Sequence, residues 1–151
     1  MIDAVRNLND AEATEALGAR LAGLIAAGDV ITLAGQLGAG KTSIARGLLA
    51  ALGLVGEAPS PSFAIVQPYA PPEVRLSVLH VDLYRIEDLA EMEELGLDEA
   101  LADSALIVEW PERAPDHWPD ALALSLEILP DGTRALTAQV PAAWKARWQQ
   151  T

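Results

Sequence analysis

The amino-acid sequence predicts an α/β domain with a mixed parallel and antiparallel sheet flanked by helices. Three observations carry that reading. The run Gly35-Gln36-Leu37-Gly38-Ala39-Gly40-Lys41-Thr42 lies between a short apolar, β-branched segment at 30–34 and a segment of helical periodicity at 42–52. A second apolar run, 105–108, ends in Glu109, as a strand buried on both faces does. Two later segments, 121–129 and 135–140, alternate about Pro130-Asp131-Gly132-Thr133, a hairpin signal.

The elements follow in order. Asn9 or Asp10 can cap a helix in which Leu17, Leu21, Leu24 and Ile25 recur at helical spacing, with Gly28 as its stop. The strand at 30–34, the glycine run and a helix from Thr42 to Leu52, stopped by Gly53, come next. Residues 53–61 read as loop because Gly56, Pro59 and Pro61 break regular structure. Residues 63–67 read as a strand, Pro68, Pro71 and Pro72 as a turn, and 74–81 as the returning strand, so this part of the sheet is expected to be antiparallel. Short helices are expected at 88–95 and 98–102, divided by Gly96, and a proline-rich loop at 110–119. Pro141 opens a last helix, whose Trp144 and Trp148 are four residues apart and read as packing residues.

Composition narrows the functional classes. A chain of 151 residues, 51% of them hydrophobic, suits one domain spanning 1–151. It has no apolar run long enough for a membrane span, and its first ten residues do not resemble a signal peptide. Without cysteine it can form no disulfide and use no thiolate, which fits a cytoplasmic setting. The net charge of −12 argues against unaided binding to nucleic acid. No basic residue separates Arg85 from Arg113, while acidic residues run from Glu87 to Glu112. That stretch reads either as a solvated helical face or as a docking surface for a basic partner.

The glycine run fits G-x-x-x-x-G-K-[ST], the phosphate-binding P-loop, and predicts a P-loop NTPase-type domain. A chain of this length matches by chance in roughly 0.5% of cases. Strand, loop and helix in that order make coincidence a poor explanation. The glycines allow backbone N–H groups to converge on one point, and the helix start adds its positive dipole end. Lys41 is placed for the β/γ-phosphates and the Thr42 hydroxyl for Mg²⁺. Such a loop needs a further carboxylate at a neighbouring strand end. Asp82, ending the 78–82 segment, and Glu109 are the candidates, each with a strand-end cap as the plain alternative. His80 shares a strand face with Asp82 and reads as a hydrogen-bonded structural histidine or a switch residue. Arg85 either stabilises transition-state charge or pairs with a carboxylate. Ser62 follows the loop helix where a switch hydroxyl would sit. Zinc is not expected, since His80 and His117 are the two histidines.

Taken together, GQLGAGKT, SPSF, HVDLYR, EELGLDE and VEWPE resemble the TsaE (YjeE) family in order and spacing, from about Thr14 to about Arg134. The resemblance implies an ATPase of bacterial tRNA threonylcarbamoyladenosine synthesis that binds ATP and Mg²⁺. It also implies action on a TsaB–TsaD pair, which itself engages the tRNA. By the same token, Gly38, Ala39, Gly40, Lys41, Thr42 and Ser43 would hold phosphate, Thr42 and Glu109 the metal, and Asp82 would serve hydrolysis. The adenine end would lie near 11–14, including Thr14, and near Arg134. Two departures stand out: Ser62 where the family usually has Thr, and Gln36 where Asp is common. A small-molecule kinase and a nucleotide-gated binding module are the other functional classes. The first is disfavoured by eight arginines that form no cluster, the second by the intact Asp82 and Glu109.

Overall fold

The structure, a computed structural model, describes residues 2–36, 38–59, 61 and 65–151. Its frame is a seven-stranded sheet in the order β1-β7-β6-β2-β5-β4-β3. The strands are β1 (Ile2–Leu8), β2 (Val30–Gly35), β3 (Val66–Tyr69), β4 (Val78–Asp82), β5 (Ala105–Glu109), β6 (Leu122–Ile128) and β7 (Arg134–Val140). β6, β2, β5 and β4 run parallel, and β1, β7 and β3 join antiparallel at the two sides. The mixed sheet is the one expected, and β6–β7 and β3–β4 are both hairpin pairs.

Strand periodicity sorts the core onto two faces. Ile31, Leu33, Ala105 and Ile107 face helices α1 (Ala11–Ala22) and α2 (Lys41–Ala51). Val30, Leu106 and Val108 belong to the other core, with Met92 of α3 (Leu89–Glu94) and Leu97 of α4 (Leu97–Ala100). All five residues of β5 are buried, which is why the segment reads as a continuous apolar run in sequence. A final 3-10 turn (Ala142–Trp144) and α5 (Lys145–Trp148) bring Trp144 and Trp148 into the first core. Each takes an arginine on its ring face, Arg147 at 3.8 Å from Trp144 and Arg6 at 4.3 Å from Trp148.

Several elements differ from the sequence expectation, among them the helix expected at 98–102, which is Leu97–Ala100, and the last helix, which begins as a 3-10 turn. β1 was not foreseen, because its alternation is broken at one pair: Val5 points outward, 73% exposed, while Arg6 turns inward to bond Thr151 and cover Trp148. α1 is capped by Asp10, whose carboxylate accepts from Ala13 N–H, but it stops at Gly23 rather than Gly28. Leu24 and Ile25 then bond back to Leu21 O in a closing turn, which extends the apolar pattern beyond the helix. Of the strand expected at 63–67, Phe63 and Ala64 lie outside the described residues, and β3 begins at Val66, after Ile65, whose φ of 63° interrupts extension. It contains Pro68, which the outermost position of β3 in the sheet tolerates. β4 begins only at Val78, after the turn that carries Val74.

The contact that positions the site is the crossing of α1 over α2. At Gly18 an added Cβ would lie 2.1 Å from Ile44 O, and at Gly47 an added Cβ would lie 2.1 Å from Glu15 O. Each glycine thus accepts the other helix's backbone where a side chain would stand. The close crossing brings the start of α1 against the loop that opens α2. We predict that Gly18→Ala or Gly47→Ala lowers the unfolding free energy by about 3 kcal/mol in urea titration. Gly23→Ala, whose Cβ would meet nothing nearer than 3.6 Å, is expected to be nearly neutral. Equal stability of all three variants would contradict the close crossing.

Candidate functional site

The site is built where β2, β5 and β4 end beside the start of α2. Parallel pairing aligns Leu33 with Glu109 and Glu109 with Asp82, so two carboxylates sit at adjacent strand tips. On β4, His80 lies two residues before Asp82 and on the same face. Both are buried, as is Glu109 at 3% exposure.

The loop between β2 and α2 has the backbone its glycines predict. Gly38 and Gly40 have φ of 83° and 107°, a region that residues with a Cβ seldom adopt. Gly40 caps α2 with no side-chain hydrogen bond, and the first turn of α2 contains no acidic residue. An eleven-residue helix therefore presents an uncapped, positively polarised start at the strand tips. Leu37 lies outside the described residues.

Glu109 is the hub of the side-chain geometry. Its Oε2 accepts from His80 Nε2–H at 2.6 Å, and the Thr42 hydroxyl approaches Oε1 at 3.3 Å and Oε2 at 3.5 Å. His80 is fully buried, and its Nδ1 has no hydrogen-bond partner among the described residues. The structural histidine foreseen from sequence is therefore present, and its partner is the candidate metal ligand. Asp82 uses Oδ1 to accept from Tyr84 N–H at 2.9 Å, the strand-end cap weighed against a functional role. Arg85 follows in the exposed turn after β4.

Lys41 is 5% exposed and donates to Gly35 O. Its ammonium also lies 3.8 Å from the centre of the Trp110 ring. Trp110 directly follows Glu109 and holds a left-handed conformation, φ 58° and ψ 50°, that turns the chain at the strand tip. Tyr84 packs against the same indole at 4.9 Å between ring centres. Burial pushes the Lys41 ammonium below its ordinary pKa, and Glu109, Glu112 and Asp82 pull it back up in part. Trp110 and Glu112 were not singled out from sequence. The available signal was an aromatic residue directly after a strand-end carboxylate.

On the far side of the loop lies a cavity of about 160 Å³ lined by Asp10, Thr14, Gly38, Gly40, Ser43 and Arg134, among others. Thr14 is 2% exposed, not a surface threonine, and its hydroxyl donates to Asp10 O. Arg134 binds the loop backbone through Gly38 O and Ala39 O. The structure thus gathers Lys41, Thr42, His80, Asp82 and Glu109 on one side of the loop, and Thr14, Ser43 and Arg134 on the other. Ser62 lies outside the described residues.

Among the described residues no three His, Cys, Asp or Glu side chains form a metal cage. Mg²⁺ does not require one, since it takes one or two protein oxygens and completes its shell with phosphate and water. Thr42 and Glu109 present hard oxygens 3.3 Å apart, near the spacing of about 2.9 Å that adjacent octahedral Mg²⁺ ligands take. The donor set fits.

Two predictions follow from this geometry. Because Lys41 loses its proton more readily in the folded than in the unfolded chain, folded stability gains as pH rises from the folded pKa toward 10.5. The difference in unfolding free energy between wild type and Lys41→Met should therefore move in favour of wild type over that window, and a flat difference would contradict it. His80→Ala should destabilise the fold by about 1–3 kcal/mol by removing the donor of a buried carboxylate. His80→Gln, whose amide nitrogen reaches the Nε2 position, should recover most of that loss in urea titration.

Known proteins resemble the chain in sequence and in fold. Residues 8–136 match the family model described as threonylcarbamoyl adenosine biosynthesis protein TsaE. The chain is 47% identical over 113 residues to the tRNA threonylcarbamoyladenosine biosynthesis protein TsaE of Streptomyces coelicolor, covering 74% of this chain and 76% of that one. It is 36% identical over 128 residues to the Bacillus subtilis protein of the same name, covering 83% and 78%. The crystal structure of Bacillus subtilis YdiB superposes with a TM-score of 0.82 at 26% identity, over 99% of this chain and 93% of that one, in keeping with an α/β P-loop-type domain. The chain belongs to the TsaE family of threonylcarbamoyl adenosine biosynthesis proteins.

Proposed function

We propose that the chain is an ATPase that binds and hydrolyses Mg·ATP to support a TsaB–TsaD pair in forming threonylcarbamoyladenosine on tRNA, in the cytoplasm. The observation that carries this reading is the meeting of Thr42, at the start of α2, with Glu109, at the tip of β5, beside a buried Lys41 and an uncapped helix start.

The roles follow from chemistry. Backbone N–H groups of Gly38 and of 40–43 cradle the phosphates, and the helix dipole adds to their field. This local field makes an anionic ligand acceptable to a chain of net charge −12. Lys41 leaves Gly35 O and the face of Trp110 and reaches the β/γ-phosphates, exchanging one set of weak acceptors for an anionic one. Thr42 and Glu109 would hold Mg²⁺, which would supply neutralisation of phosphate charge. His80 keeps the Glu109 carboxylate turned toward Thr42. Asp82, the second buried carboxylate at the strand tips, orients the attacking water. Water oxygen bonds to the γ-phosphorus, the bond to the β–γ bridging oxygen breaks, ADP and phosphate leave, and a proton passes to solvent.

The same acidity makes direct contact with tRNA unfavourable, so the tRNA is reached through the partner pair. Among the described residues no helix is long and apolar enough to cross a membrane.

Lys41→Ala and Glu109→Gln should each reduce partner-stimulated phosphate release by at least about a hundredfold. Both should leave the fold intact by circular dichroism and abolish tRNA modification in a reconstituted system. Full modification by either variant would overturn the ATPase reading. Phosphate release that TsaB–TsaD leaves unchanged would overturn the partner assignment.

A further inference from the structure

We infer that Arg134 is a positioning residue for the phosphate loop, a strut from the β6–β7 hairpin that fixes the loop's peptide planes before any nucleotide arrives. The inference rests on the phosphate-binding reading above and adds a part to it. Arg134 lies more than ninety residues from the loop in sequence, yet its Nε donates to Ala39 O at 3.1 Å and its Nη2 to Gly38 O at 3.1 Å. Its Nη1 donates to Gly132 O at 2.6 Å. One planar fork therefore joins two successive loop carbonyls to the hairpin turn.

The turn is itself braced. Asp131 Oδ1 accepts from Thr133 N–H at 3.0 Å and from the Thr133 hydroxyl at 2.6 Å. Leu129 and Thr133 close the hairpin through Leu129 N–H to Thr133 O, and Gly132 N–H donates to Leu129 O. The guanidinium thus starts from a fixed base at the top of β7.

In a trans peptide the carbonyl and the following N–H point in opposite directions. Holding Gly38 O and Ala39 O on the hairpin side therefore turns the N–H groups of Ala39 and Gly40 away from it. Ala39 N–H donates to Gln36 O at 3.1 Å, which locks the first of these planes from both ends. The glycines leave this stretch free to rotate, and positive φ at Gly38 and Gly40 is a choice among several open conformations. A strut that removes the alternatives lowers the ordering cost of phosphate binding. Lysine could supply the charge but not the rigid fork that spans two carbonyls.

Calorimetry with two probes separates this role from a direct contact to the nucleoside. Mg·tripolyphosphate has no base or ribose, and Mg·ATPγS has both. Arg134→Met should weaken both probes by a similar factor, about tenfold, as expected for loss of charge-assisted hydrogen bonds. Arg134→Lys should recover only a minor part. Loss of ATPγS affinity with tripolyphosphate affinity retained would overturn the inference in favour of a nucleoside contact. Full recovery by Arg134→Lys would overturn it in favour of simple charge. Backbone order parameters of Gly38, Ala39 and Gly40 in the nucleotide-free protein supply the second readout. They should fall in both variants, and unchanged values would likewise overturn the inference. Should wild type bind neither probe, the phosphate-binding reading fails, while the order parameters still test the strut.

Discussion

The structure depends on how one buried carboxylate is held. Glu109 ends a strand buried along its whole length, and its side chain is withdrawn from water. Burying a carboxylate costs several kcal/mol unless hydrogen bonds and positive potential replace its hydration. Here the replacement comes from His80 on the neighbouring strand, the Thr42 hydroxyl at the start of α2, and the field of Lys41. They lie on two elements, His80 on β4 and both Thr42 and Lys41 at the start of α2. The same contacts that make the carboxylate tolerable therefore also set the register of β4 against β5 and the seat of α2 on the sheet. Under the proposed function, a divalent cation with its phosphate ligands would add to these contacts.

The rest of the fold delivers the loop to that carboxylate. Parallel pairing of β2, β5 and β4 brings three strand ends to one level. The glycine-to-backbone crossing of α1 and α2 then leaves little room for α2 to slide, since each helix fills the other's missing side chains. The outer hairpin β6–β7 reaches back to the loop through Arg134. Lys41 rests between Gly35 O and the Trp110 ring, so among the described residues its charge is housed without a carboxylate hydrogen bond and is available to a stronger acceptor.

Much of this was legible in the residues. The glycine loop, β2, α2 and β5 agree at every level, from composition to periodicity to stop signals, and the structure holds them within a residue of their expected bounds. The hairpins were legible because their turn residues are chemically distinctive. β1 was hidden because Arg6 faces inward and Val5 outward, the reverse of the usual pattern, and the reason is an aromatic ring at the far end of the chain. The partnership of His80 with Glu109 could not be read because it depends on inter-strand register, which no local pattern encodes. Arg134 was placed near the nucleotide by resemblance alone. Its grip on Gly38 O and Ala39 O spans most of the chain and has no local signature. Trp110 escaped notice because its role follows from a left-handed turn that a tryptophan seldom adopts.

The central claim is that Thr42 and Glu109 jointly grip a metal-bound triphosphate. Calorimetric titration of the wild-type protein with a non-hydrolysable ATP analogue, in Mg²⁺ and then in EDTA, tests it most directly. The account predicts one site per chain in Mg²⁺, with affinity at least about tenfold weaker in EDTA. Equal affinity in the two buffers, or no heat in either, would contradict it.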